Sequence, residues 1–167
     1  MTLQELNTLP SSEIKQQLFQ CCGSSLWVEE MMKGIPYTSL TSLQENADSA
    51  WSLTKEEDWK EAFLDHPMIG DINSLREKFA STKQWASGEQ SSVTVADDEV
   101  LSELKKLNNE YHQRFGYIFI ICATGKSVAE MMASLIKRME NSPFDEIRIA
   151  SEEQRKIMQL RILKLLS

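Results

Sequence analysis

Apolar positions recur every three or four residues over most of the chain, which is the period of a helix with one buried face. In "PSSEIKQQLFQCC", Ile14, Leu18 and Cys21 or Cys22 share a face behind serine cap candidates, and Gly23 ends the run. "SLWVEEMMKG" predicts a second helix closed by Gly34. Leu40, Leu43, Ala47 and Ala50 or Trp51 keep the spacing through "SLTSLQENADSAWSL". "TKEEDWKEAFLDHP" carries a capping-box pattern, Thr54 with Glu57, and Pro67 marks its exit. Two shorter candidates follow, "DINSLREKF" and "TKQWASGEQSS", the second weakened by Gly88. A long amphipathic helix is predicted in "ADDEVLSELKKLNNEYHQRFGY", with Val100, Leu101, Leu104, Leu107, Tyr111 and Phe115 on its buried face. "SVAEMMASLIKRMEN" and "PFDEIRIASEEQRKIMQLRILKLL" complete the set, the latter with Pro143 in its first turn.

One segment breaks the pattern. "IFIICATGKS" is apolar without helical periodicity, so it is a short buried strand or an extended loop. A lone strand makes no sheet. The expected class is all-α: a single-domain multi-helix bundle of roughly eight helices with one short extended apolar segment. A chain of 167 residues suits one domain with a real core. No internal repeat or low-complexity tract is present, and only "SSVTVADDE" has the look of a linker.

Charge narrows the partners. Acidic residues outnumber basic ones by 25 to 18, and the net charge of −7 argues against nucleic acid or an anionic membrane surface. It leaves room for a small anionic substrate met by a few arginines. The longest apolar run, "YIFIICA", is far too short to span a bilayer. The first residues lack the basic and apolar regions of a signal peptide, and "LLS" is no peroxisomal address. Three cysteines, two of them adjacent at Cys21 and Cys22, show no zinc spacing. Reduced thiols in a cytoplasmic protein are the economical expectation.

Four places can carry chemistry. His66, one of only two histidines, stands immediately before Pro67. A residue before proline is pushed out of the α region, so the helix stops there and a stiff turn aims the imidazole. The plainer alternative is a histidine answering the dipole at a helix C-terminus. In "WASGEQSS", Glu89 and Gln90 sit among small residues, or are simply a surface pair. Asn108, Tyr111 and Phe115 share a helical face, and the apolar backbone after Gly116 needs partners for its N–H and C=O groups. A ligand rich in amides would supply them, as would a neighbouring loop. Arg161 lies among Ile157, Met158, Leu160 and Ile162, as a binding group or a snorkelling side chain.

Taken together, "HPMIGD", "EQ" about twenty residues later, "NNEYHQRFGYIFIICATGKS" and "EQRKIMQLRILKLL", with "CCGSSLW" near the start, resemble the decarboxylases of 2-oxo-4-hydroxy-4-carboxy-5-ureidoimidazoline (OHCU). The resemblance implies formation of (S)-allantoin in urate breakdown. It implies His66 and Glu89 as the catalytic pair. Pro67, Gln90, Arg161 and the backbone of Phe119, Ile120 and Ile121 are implied as substrate contacts. Many members carry serine three residues before the glutamate, where this sequence has Ala86 followed by Ser87. A homodimer is also implied, with a small-molecule ureidoimidazoline as substrate and neither metal nor cofactor. Related domains occur fused to a transthyretin-like hydrolase, whereas here a single domain ending at Ser167 is expected. The competing possibility is an all-α interaction module that keeps the scaffold without the chemistry.

Overall fold

The computed structural model describes residues 1–66 and 95–167, with side chains from residue 99 onward in the second stretch. These residues form eight helices and no strand. The all-α expectation holds. The two short helices expected in residues 71–79 and 82–92 lie outside the described residues. The chain divides into two compact units, one of residues 1–66 with 149–167 and one of residues 67–148.

The first unit holds α1 (Leu3–Thr8), α2 (Ser11–Cys21), α3 (Ser25–Met32), α4 (Leu40–Ser52), α5 (Glu56–Leu64) and most of α8 (Pro143–Leu165). Helix α1 was not singled out by periodicity. It is too short for a repeat, and a capping box starts it: Thr2 N–H donates to Glu5 at 2.7 Å and Glu5 N–H donates to Thr2 at 3.2 Å. The core takes in most of the predicted faces, with Ile14, Leu18, Leu43, Ala47 and Trp51 buried alongside Trp27, Met158 and Ile162, while Leu40 at the start of α4 is exposed and leaves its predicted face. Trp27 is fully buried and its indole N–H donates to the Ala47 carbonyl at 3.0 Å. Truncating so large a buried aromatic typically costs about 3–5 kcal/mol.

Caps explain most helix starts. Ser24, Ser39 and Ser127 each accept a backbone N–H of the first turn, at α3, α4 and α7 (Val128–Arg138). Two cap expectations need correction. Helix α2 starts at Pro10 with no side-chain cap, and Ser11 and Ser12 lie inside its first turn, because proline fixes the entry backbone. At α5 the box sits one residue later: Asp58 accepts from Lys55 N–H at 2.9 Å. Thr54 is already engaged, donating to the Trp51 carbonyl and accepting the Trp59 indole N–H at 2.8 Å.

The second unit contains α6 (Val95–Phe115), an extended stretch, α7 and the first residues of α8. On α6, Leu101, Leu104 and Tyr111 are buried as expected. Val100 is 37% exposed and leaves the predicted face, since its neighbour Leu101 takes the inward position. Gly116 ends α6 with φ of 84°, a conformation that costs other residues strain. The "IFIICATGKS" segment is an extended loop without a partner strand among the described residues.

Candidate active site

His66 is placed by the last turn of α5. Its backbone N–H donates to Phe63 O at 3.3 Å, and Asp65 N–H donates to Ala62 O at 3.2 Å, so the turn tightens just before the proline. Glycine is required across from it. A Cβ on Gly23 would lie 2.7 Å from Asp65 Cβ, so the α2–α3 turn and the end of α5 pack backbone to side chain. Glu61 adds a second tie between the two regions by accepting from Ser25 N–H, the start of α3, at 3.0 Å. The imidazole Nε2 lies 2.6 Å from Oε1 of Gln154, a fully buried side chain of α8.

Arg161 reaches the same turn. Its Nη1 donates to Asp65 Oδ2 and to the Gln20 carbonyl, both at 3.3 Å. With side chains 28% and 33% exposed, this ion pair is worth at most about 1 kcal/mol. The arginine is neither a loose snorkelling chain nor buried in an apolar setting. It ties the end of α2 to the residue beside His66. Burial pushes the Cys21 thiol up to about 11 and the Cys22 thiol up to about 12, with Arg161 opposing weakly. Both thiols are protonated near neutral pH and are poor nucleophiles.

The extended loop of the second unit is clamped by a buried ion pair. Arg138, 7% exposed, donates through Nη1 to the Ile120 carbonyl at 2.7 Å and through Nε to Glu146 at 2.7 Å. Its guanidinium also lies 4.5 Å from the Phe119 ring centre. Fully buried Glu146 further accepts from Tyr111 Oη at 2.6 Å and from Asn141 at 2.9 Å. Burial, and then the bond to Glu146, holds the Tyr111 phenol well above its ordinary range, so it is a permanent donor. The Ile120 side chain is buried, while Phe119 and Ile121 are half-buried. Part of the backbone demand inferred from the sequence is therefore met by Arg138, not by a neighbouring loop.

His66 and Arg161 thus come together at one end of α5 in the first unit. Phe119, Ile120 and Ile121 lie on the loop of the second. Pro67, Glu89 and Gln90, with Ala86 and Ser87, lie outside the described residues. Gln154 escaped the sequence reading, although a signal existed: Ala150, Gln154, Met158 and Ile162 form one buried stripe at four-residue spacing, and only Gln154 is polar. Arg138 and Glu146 sit on different helices, and no periodicity announces their pairing. No group of three His, Cys, Asp or Glu side chains among the described residues could hold a metal ion. No helix there is long and apolar enough to cross a membrane.

The family model for OHCU decarboxylase matches residues 7–163. The uric acid degradation bifunctional protein TTL of Arabidopsis thaliana is 37% identical over 147 residues, covering 88% of this chain and 45% of that protein. The chain thus spans under half the length of that relative. The 2-oxo-4-hydroxy-4-carboxy-5-ureidoimidazoline decarboxylase of Haloferax volcanii is 25% identical, covering 97% of this chain and 94% of its own. A crystal structure of OHCU decarboxylase in the presence of (S)-allantoin superposes with a TM-score of 0.70 at 36% identity, over 89% of this chain and 95% of that one. The chain belongs to the OHCU decarboxylase family.

Proposed function

We propose that this protein decarboxylates 2-oxo-4-hydroxy-4-carboxy-5-ureidoimidazoline to (S)-allantoin and carbon dioxide in urate degradation. The observation that carries the reading is His66, aimed by a tight helix end and hydrogen-bonded to a buried amide, in a chain of this family. The substrate bears a hydroxyl and a carboxylate on one ring carbon beside a ring imine. The electron pair of the breaking C–C bond flows into that imine as carbon dioxide leaves. The substrate is its own electron sink, so the protein needs only to orient it and move protons.

A base takes the hydroxyl proton as the carbonyl forms, and an acid delivers a proton to the neighbouring ring carbon on one face. Histidine titrates near neutrality and suits the first task. Glu89, which stands among small residues in the sequence, suits the second. Arg161 has a fork of donors suited to neutral oxygens of the ring or ureido group. A tight grip on the departing carboxylate would stabilise the ground state and slow its loss. Gln90, Pro67 and the backbone of Phe119, Ile120 and Ile121 complete the substrate contacts in this reading. Residues 1–167 act as one functional domain, as a cytoplasmic homodimer.

The test is direct. Freshly generated, unstable substrate is added to the protein, and product formation is followed by circular dichroism. The reading expects (S)-allantoin faster than spontaneous decay, which is racemic. A rate and optical purity equal to the protein-free control would overturn it.

A further inference from the structure

The buried amide of Gln154 stands on an otherwise apolar stripe between Ala150 and Met158, where a leucine or methionine would pack without polar cost. Its Nε2 has no hydrogen-bond partner among the described residues. Its Oε1 is 2.6 Å from His66 Nε2. A carbonyl oxygen accepts only, so the imidazole nitrogen facing it must carry hydrogen. The bond to His66 is thus the interaction that compensates burial of this amide.

We propose that Gln154 is a positioning residue for His66: it holds the ring's direction and keeps a proton on Nε2, which makes Nδ1 the basic nitrogen of the neutral ring. This rests on the catalytic reading of His66 given above. The hydrogen bond to one ring nitrogen sets the tautomer of the other, as it does in catalytic histidines generally. The carbonyl also favours the protonated imidazole, because both nitrogens then donate. The charged pair beside this contact is Asp65, adjacent to His66 in the chain, and Arg161, which donates to it at 3.3 Å. They are unchanged in the variants below, so their effects cancel.

The experiment is nitrogen NMR of the full chain labelled at histidine, without substrate. There are only two histidines, and His112→Gln identifies the other. The wild type should show a neutral His66 protonated on Nε2. Gln154→Glu keeps the reach and adds a carboxylate at the contact, which should raise the His66 midpoint by about one to three pH units. Gln154→Leu removes the acceptor; the midpoint should fall, and kcat should drop about ten- to a hundredfold with little change in KM, the usual loss for a partner that orients a functional histidine. An unmoved midpoint in folded Gln154→Glu overturns the proposal. If that variant does not fold, an unmoved midpoint in Gln154→Leu does the same. A shifted midpoint with unchanged kcat overturns the positioning role. Because the midpoint is read without substrate, it separates failure of this contact from failure of the decarboxylase reading.

Discussion

Replacing Glu146 by glutamine should destabilise the second unit severely while leaving its shape nearly intact. Glu146 is fully buried and accepts from Arg138, Tyr111 and Asn141. Glutamine keeps the volume but removes the charge and replaces one acceptor oxygen with a donor. Arg138, 7% exposed, then holds an uncompensated buried charge. Breaking such a pair from one side typically costs about 3–5 kcal/mol. In a chain of this size that lowers Tm by roughly 6–20 °C, at about 2–4 °C per kcal/mol. The double change Arg138→Met with Glu146→Leu removes both charges and should recover part of the loss, since apolar replacement of a buried pair is often neutral or favourable, whereas the Tyr111 hydroxyl and the Ile120 carbonyl lose their partners. It should not recover activity. The Ile120 carbonyl loses its Arg138 donor, and the loop that carries Phe119, Ile120 and Ile121 loses its clamp. Thermal and urea unfolding followed by circular dichroism, with the decarboxylase assay beside them, measure both quantities. A loss below about 1 kcal/mol in Glu146→Gln would refute the argument, because that is the range of an exposed pair. Full activity in the double variant would show that the clamp does not shape the site.

Three further outcomes follow from the same structure. His66→Asn should keep the fold by circular dichroism and lose about a hundred- to ten-thousand-fold in rate, the usual contribution of general acid–base help; a folded variant near the wild-type rate would remove His66 from the chemistry. Glu89→Gln should slow turnover and make the product less enantiopure, because water then protonates the planar carbon; a slow variant that still gives pure (S)-allantoin would make Glu89 a binding group. Cys21 and Cys22, raised to about 11 and about 12 from 9.0, should resist iodoacetamide at pH 8 until urea unfolds the chain, as judged by mass spectrometry of the labelled peptides. Their raised values mean a stability contribution that is full below about 9 and lost as pH rises toward about 11 and 12, so the urea midpoint should fall between pH 8 and pH 10.5.

The elements that the sequence made legible are those with a long repeat. Leu18, Leu43, Ala47, Leu104 and Tyr111 fall on buried faces because helical spacing and burial are one and the same constraint. Helix α1, with six residues, has too few turns to show a period, and its signal is a cap. The α5 cap moved by one residue because Thr54 answers a tertiary demand from Trp59 that no local pattern contains. The end of α5 just before His66 was legible through Pro67, a backbone effect written in adjacent residues. Gln154 and Gly23 were not, because each matters through a residue distant in the chain, and the Arg138–Glu146 pair was not, because it joins two different helices. Gly23 is needed only because Asp65 packs against it. Arg161 was singled out for its apolar neighbours, yet its contacts are Asp65 and the Gln20 carbonyl.

A crystal structure of this chain with (S)-allantoin bound tests the central claim most directly. The account predicts the product within hydrogen-bond distance, about 3 Å, of His66 and of the Arg161 fork, with Glu89 facing the carbon that received the proton and the backbone of residues 119–121 on the ring or ureido group. Product bound with neither His66 nor Arg161 in contact would contradict it, whatever the overall agreement with the family.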